Sequence, residues 1–384
     1  LIDCDFLVVG SGIAGASIAC ELAPHAKVVV AEQEERAGYH TSGRSAAMYI
    51  VSYGVPPVRM LTAASRAFFD SPPEGFADYP LLTPRGCLTI ARSDQFERLA
   101  QEEQALVATA SAFRDIGEAE AKALVPRLRD GAAARALYEP DSADIDVAAL
   151  LQGFMRLAKS RGADFRLDAG VMTLERVGDR WRARLRNGEI ILAATIVDAA
   201  GAWADSVAGL AGLESLGLTP KRRTAILIEP PAGVDISGWP NVLDVAEQFY
   251  FKPQSGLILA SPGDETPSQP VDAAPEEIDI ALCVDRIQAA ADLPVRRVTR
   301  AWAGLRTFAP DHALVIGPDP RTAGFFWFAG QGGFGMQTSP ASARLGAALA
   351  LGKRVPADLA DRGLTETTFS PARLTPTIGH SKRL

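Results

Sequence analysis

Three glycines near the start of the chain, Gly10, Gly12 and Gly15, stand in the spacing G-x-G-x-x-G, and Glu32 follows them. An acid about 20 positions beyond such glycines sits where a ribose hydroxyl needs an acceptor. The first glycine permits a tight turn, the second lets a pyrophosphate approach the backbone, and the third lets a helix pack closely on a strand. Unpaired N–H groups and the positive end of the helix dipole then meet the phosphates. A second glycine-rich run, Gly330-Gln331-Gly332-Gly333-Phe334-Gly335, lies near the other end of the chain.

Chemistry of this kind needs a strand, a helix and a second strand around the first motif, and the flanks supply them. Phe6-Leu7-Val8-Val9 is a short apolar run of the sort that buried parallel strands show. Ala14, Ile18 and Leu22 recur on one helical face that ends near Pro24-His25, and Val28-Val29-Val30 leads to Glu32. The stretch is therefore expected to bind a dinucleotide. Further along, Asp146 is expected to cap a helix over 147–159. Trp181, Ala183 and Leu185 alternate with Arg180, Arg182, Arg184 and Arg186, which predicts a half-buried strand that turns at Asn187-Gly188 and shows its arginines to solvent. Residues 95–130 read as charged helical segments interrupted at Pro126, and 218–310 as strand-rich. Phe325–Phe328 reads as a strand, and Thr338 or Ser339, followed by Pro340, is expected to open a helix that stops at Gly352.

The bulk numbers narrow the class. A chain of 384 residues with 47% hydrophobic and 22% charged residues suggests about two globular domains. A net charge of −7 and a single short basic cluster, Lys221-Arg222-Arg223, argue against nucleic acid as a partner. Cys4, Cys20, Cys87 and Cys283 form no C-x-x-C pair, so neither a metal site nor a disulfide framework is expected. Asp3 and Asp5 beside the first apolar run do not read as a signal peptide, and no apolar run reaches membrane-spanning length. The expectation is a cytoplasmic protein without a transmembrane segment. No G-x-S-x-G, P-loop or H-E-x-x-H pattern supports a hydrolase or a kinase.

Taken with Tyr39-His40-Thr41-Ser42-Gly43-Arg44-Ser45-Ala46-Ala47, "LTAASRAFFDSPPEGF" (61–76), "GLTPKRR" (217–223) and "WAGLRTF" (302–308), the two glycine-rich ends resemble the FAD-dependent D-amino-acid oxidase superfamily. The likeness is strongest to its bacterial D-arginine dehydrogenases and covers essentially the whole chain. The resemblance implies an α/β fold: a Rossmann-like FAD-binding domain, discontinuous in sequence (1–80, 142–217 and 313–384), and a β-sheet-rich α+β substrate domain (81–141 and 218–312). It implies FAD held non-covalently, since relatives with covalent flavin use a cysteine near the C-terminal region and none follows Cys283. Gly10, Gly12, Ile13, Ala14, Gly15, Glu32 and Gln33 would hold the diphosphate and adenosine. Ser42, Gly43, Arg44, Ser45, Ala46 and Ala47 would line the pyrophosphate and flavin edge, with Val171 on the adenine side and Ala200, Gly201 and Trp203 completing the slot. Gly332, Gly333, Phe334, Gly335, Met336, Gln337 and Thr338 would face the pyrimidine end of the flavin, where backbone donors stabilise negative charge.

The same resemblance implies oxidative deamination of a D-amino acid: hydride leaves Cα for flavin N5, and the imine hydrolyses to a 2-oxo acid and ammonia. Arg222 and Arg306 would clamp the carboxylate, with the hydroxyls of Tyr53 and Tyr250 as further donors; the planar arginine fork suits that task. Met48, Cys87 and Gly332 are expected in the substrate pocket. Met48 stands where the arginine-specific relatives carry a histidine and Cys87 where they carry a glutamate, so a neutral or hydrophobic amino acid is expected unless another acid, such as Glu247, takes over. Ile258 stands where sarcosine-oxidase-like relatives place an oxygen-activating lysine, which favours a quinone or other acceptor over O2. A secondary-amine oxidase acting on sarcosine or proline is the alternative within the superfamily. An NAD-dependent dehydrogenase or a flavin-binding module without turnover are the alternatives outside it.

Overall fold

The computed structural model describes residues 1–109 and 111–375. The last residues of the segment 313–384, beyond 375, lie outside it. An eight-stranded sheet carries the first glycine motif. Strand Ile2–Val9 runs parallel to Val28–Ala31 on one side and to Ile190–Asp198 on the other. Asp164–Arg166 adds a parallel strand beyond Val28–Ala31. The long strand Ile190–Asp198 divides its free edge. Its first half pairs with the antiparallel hairpin Val171–Val177 and Arg180–Leu185, and its end pairs in parallel with Phe325–Ala329.

Both faces of this sheet are covered, which is why its central strands read as unbroken apolar runs. Phe6, Val8, Val28, Val30 and Val197 point to a core shared with helices Ile13–Leu22, Val147–Ser160 and Gly335–Ala350. Leu7, Val9, Val29 and Ala31 point the other way, to Trp181, Ala183 and helix Ala204–Leu210. The hairpin follows its alternation except at Arg180, which was expected in solvent but folds back on the sheet and donates to the Leu192 carbonyl at 3.1 Å. Trp181, Ala183 and Leu185 are buried, Arg182, Arg184 and Arg186 are exposed, and Gly188 makes the turn at φ 87°. Asp146 caps its helix as expected, accepting the Ala149 N–H at 2.9 Å.

The last long helix departs from expectation. It begins at Gly335, with Pro340 inside it rather than at its start. A proline there cannot donate to the carbonyl four residues back. The Ser339 hydroxyl takes that role, donating to the Met336 carbonyl at 3.0 Å. The helix thus starts a full turn earlier and aims its N-terminus from the glycine loop itself.

A nine-stranded, mostly antiparallel sheet forms the second half, built from strands between Cys87 and Glu139 and between Thr219 and Phe308. One face packs Leu88, Ile226, Val242, Phe251 and Ile258 against Cys283 and Ile287 of helix Glu277–Ala290. The other face looks toward the first sheet. A three-stranded sheet of Met48–Tyr49, Leu82–Pro84 and Ala143–Ile145 stands between the halves. Among the described residues no helix is long and apolar enough to cross a membrane.

Candidate active site

The first motif builds its turn from backbone contacts that no side chain would allow. Gly10 has φ 98°, and a Cβ on it would lie 2.7 Å from the Ala199 carbonyl oxygen. A Cβ on Gly15 would lie 1.9 Å from the Gly10 carbonyl oxygen. Gly12 precedes helix Ile13–Leu22, whose first N–H, on Ile13, donates to Ser42 Oγ at 2.9 Å. Glu32 accepts from the Ser11 N–H at 2.7 Å, the Ser11 hydroxyl at 2.8 Å and the Glu34 N–H at 3.0 Å. A carboxylate has about four acceptor sites, so one remains for a ribose hydroxyl.

Two connected cavities follow from this turn. The outer, of 300 Å³, is lined by Gly10, Glu32, Gln33, Val171, Ala200, Gly201 and Trp203, together with Tyr39 and His40. His40 packs against Trp203 with ring centroids 4.5 Å apart and planes tilted by 47°, and is tied by Nε2 to Glu34 at 2.9 Å. The inner, of 110 Å³, is lined by Ile13, Ala14, Arg44, Ser45, Ala46, Gly332, Gly333, Gly335 and Met336. Gly12, Thr41, Ser42, Ala199 and Gly201 belong to both, so the two form one slot. Its inner wall is the edge strand Val298–Phe308, held to the 41–44 turn by Thr41 Oγ1 donating to the Leu305 carbonyl at 2.6 Å and by Trp302 Nε1 donating to the Arg44 carbonyl at 3.0 Å.

Several expected cofactor residues act one step removed. Gly15 sits beneath the turn. A Cβ on Gly43 would meet the Gly38 carbonyl oxygen at 2.5 Å, so this glycine shapes the turn instead of lining the slot. Ala47 is buried in the core. Gln337 braces the site from behind, accepting the Ile50 N–H at 3.1 Å and donating to Thr62 Oγ1 at 2.9 Å. The Thr338 hydroxyl bonds its own helix at Phe334, and Phe334 lines the substrate side. Sequence reasoning assigned no role to Tyr39, Thr41, Ala199, Gln331 and Thr307, although Tyr39, Thr41, Gln331 and Thr307 lie within the stretches that carry the resemblance; which residues of a turn or an edge strand face the slot is set by their folding.

Beyond the slot lies a cavity of 800 Å³, lined by Ile50, Ser52, Tyr53, Arg59, Thr89, Glu102, Glu139, Glu247, Phe308 and Phe334 among others. Arg306 stands where it meets the slot. Its Nη1 donates to the Tyr53 hydroxyl at 3.2 Å, and it joins no ion pair among the described residues. A Cβ on Gly333 would lie 2.9 Å from that nitrogen and 3.0 Å from the hydroxyl, so the glycine keeps the approach open. Burial raises the Tyr53 phenol, which therefore stays protonated and able to donate. Tyr250 lines the inner slot on the same sheet face.

Arg222 requires a correction. It was expected to clamp the carboxylate, but strand Thr219–Ile228 turns it to the opposite face of the sheet. There it pairs with Asp279 at 2.9 Å and with Glu276, its side chain 12% exposed. Arg223 is the neighbour that lines the slot, with Nε donating to the Asp264 carbonyl at 2.8 Å. A strand reverses faces at every residue, and a run of three basic residues gives no hint of which one points inward.

The expected pocket residues also move. Met48 pairs with Asp144 in the three-stranded sheet, and Cys87 is fully buried, contacting Asn241 at 3.4 Å; neither lines the cavity. Burial pushes the Cys87 thiol up to about 12. Thr89, two residues along the same strand, takes the lining position. Gly332 lines the slot, as its cofactor role required, and not the 800 Å³ cavity; its N–H donates to the Thr307 carbonyl at 2.9 Å. Ile258 packs in the substrate-sheet core, on the face away from the slot, so it does not bear on the electron acceptor.

A family model described as "DAO: FAD dependent oxidoreductase" matches residues 5–349. Glycine oxidase of Geobacillus kaustophilus is 24% identical over 94% of this chain and 96% of its own. L-proline dehydrogenase from P. horikoshii superposes with a TM-score of 0.82 at 21% identity, covering 97% of this chain and 98% of that one. L-α-glycerophosphate oxidase from Mycoplasma pneumoniae, solved with FAD bound, gives 0.81 at 18% identity over 91% and 95%. The slot suits FAD on its own geometry. Glycine backbone opens it where phosphate would pass, a carboxylate site is left for ribose, and Thr307, on its wall, keeps a buried hydroxyl with no partner among the described residues.

Proposed function

This chain belongs to the DAO family of FAD-dependent oxidoreductases, and we propose that it oxidatively deaminates D-amino acids to 2-oxo acids and ammonia. One observation carries the reading: Arg306, enclosed where cavity and slot meet, has a hydroxyl partner in Tyr53 but no carboxylate among the described residues. A guanidinium in that setting fits a substrate carboxylate bidentately. With Tyr53 and Tyr250 donating beside it, the carboxylate is fixed, and the Cα of the same molecule is turned toward the slot. FAD, held non-covalently along Gly10–Ala14, Glu32, Ser42–Ala46 and Gly332–Met336, supplies the two-electron acceptor. None of the four cysteines lines the slot, in keeping with the non-covalent hold. The rest of the rate comes from positioning, with the aromatic pair Phe308 and Phe334 excluding water from one wall. We assign the flavin to the domain of residues 1–80, 142–217 and 313–384, and the substrate to that of 81–141 and 218–312.

The expectation of a neutral or hydrophobic substrate loses its footing, because it rested on Met48 and Cys87 lining the pocket. The test is anaerobic mixing of the holoenzyme with D- and L-amino acids, sarcosine and proline while flavin absorbance is followed. Rapid bleaching by D-amino acids, slowed at least about 30-fold in Arg306→Leu at fixed low substrate, is the expected result. Bleaching by sarcosine or proline alone would move the reading to secondary amines, and none at all would end it. Reoxidation in air against reoxidation by a quinone then separates oxidase from dehydrogenase.

A further inference from the structure

The cavity holds a second polar centre that the carboxylate clamp does not use. Glu139 ends strand Arg135–Glu139 on its wall, only 5% exposed, and accepts from the Ser52 hydroxyl at 2.7 Å. Ser52 and Tyr53 are successive residues, so one peptide unit joins the group that holds Glu139 to the group that holds Arg306. The Tyr53 side chain, one Cα-to-Cα step of about 3.8 Å and the Ser52 side chain together keep the two hydroxyls within roughly 13 Å of each other. An amino acid with a long side chain, from its carboxylate to its far end, fits within that bound.

Resting on the amino-acid reading above, we propose that Glu139 is the specificity-determining residue of this cavity and receives the cationic end of the substrate's side chain. An uncharged chain end would leave the carboxyl without a second partner, whereas an ammonium or guanidinium gives it a charge-assisted bond at a carboxyl only 5% exposed. The surroundings lean the same way. Glu102 and Glu97 face the cavity from helix Phe96–Ala108, against Arg98 from that helix and Arg59 from helix Pro56–Asp70. Behind Glu139, Arg66 and Asp141 line a separate recess, and the paired Cys87 thiol is neutral.

Burial lifts the Glu139 carboxyl to about 7, with Glu102 adding to the rise and Ser52 and Arg59 opposing it. A cation seated against it favours the ionised form, so binding expels a proton. Affinity for a cationic substrate therefore rises with pH through this range, relative to a neutral substrate of the same shape. At pH 6 to 8 the α-amino groups of both members stay mostly protonated, so their titration leaves the pH dependence of the ratio unchanged. His312 also lines the cavity, so substitution rather than pH alone must assign the effect.

The experiment measures apparent Kd from anaerobic flavin reduction of the holoenzyme with two near-isosteric pairs, lysine against norleucine and arginine against citrulline, in both enantiomers, at pH 6 and pH 8. Wild type is expected to favour the cationic member by about tenfold at pH 8 and less at pH 6. Glu139→Gln, with flavin content confirming its fold, should bring the ratio to within about twofold at both pH values, and Glu139→Asp should keep part of it. A wild-type ratio near one, or a preference that survives in Glu139→Gln, overturns the proposal while leaving amino-acid oxidation standing. If no member of either pair bleaches the flavin but sarcosine or proline does, the amino-acid reading fails first and this assignment with it.

Discussion

The dinucleotide slot and the substrate cavity solve their problems with different parts of the chain. In the slot, the decisive contacts are made by backbone: Gly10 against Ala199, Gly15 against Gly10, and the open N-terminus of helix Ile13–Leu22. In the cavity they are made by side chains: Arg306, Glu139 and Thr89 on paired strands, where one step along the chain turns a residue to the other face, and Ser52 and Tyr53 on a turn. Arg222 and Arg223 show the cost of that reversal. The first is surrounded by carboxylates on the outer face; the second lines the slot. Backbone sites tolerate almost no added atoms but are read from local spacing, whereas side-chain sites tolerate substitution but depend on register.

Gly15 is the residue at which substitution should do the most damage. Because its Cβ would fall 1.9 Å from backbone, which cannot swing aside, Gly15→Ala should abolish folded, flavin-loaded protein or leave only a small fraction of it. The ratio of flavin to protein absorbance in purified material measures this, and normal loading would mean the turn can shift more than its packing suggests.

Next in size is the contrast between two arginines that the sequence treats alike. Arg222→Gln leaves Asp279, a buried acid, without its strongest partner, and should lower stability by about 3 kcal/mol with substrate affinity unchanged in the protein that folds. Arg306→Lys keeps the charge but loses the fork, and should weaken substrate binding by about tenfold with Tm nearly unchanged. Denaturant melts and flavin-reduction titrations of both variants decide the matter; the opposite assignment of effects would return Arg222 to the site.

The smallest expected effect is on stability against pH. Glu139 is held near 7 in the folded protein and near its ordinary 4.5 when unfolded. Below 4.5 both states are protonated and the group contributes nothing. Between 4.5 and 7 the unfolded chain has released a proton that the folded chain keeps, so stability falls as pH rises, and above 7 the full penalty remains. Glu139→Gln should therefore raise Tm more at pH 8 than at pH 4.5, by a few degrees. An equal change at both pH values would show that the carboxyl is not held neutral by the fold.

Much of the first half was legible without coordinates. Apolar runs at 6–9 and 28–30 foretell strands covered on both faces, and glycines at fixed spacing foretell a turn that only glycine can make, because both signals depend on a handful of adjacent residues. Helix Gly335–Ala350 is where that logic slipped: Pro340 reads as a start, yet Ser339 satisfies the carbonyl it frees, a substitution that depends on side-chain geometry. What the sequence determined by itself was the dinucleotide turn, the layered sheet around it and the arginine Arg306 set in an apolar strand. Only the tertiary structure decided that Arg223 and not Arg222 faces inward, that Thr89 lines the cavity while Cys87 is sealed beneath Asn241, and that Glu139 shares a cavity with Tyr53. The physical reason is that strand register and the meeting of residues far apart in the chain are fixed by pairing and burial across whole sheets, which no short stretch of sequence contains.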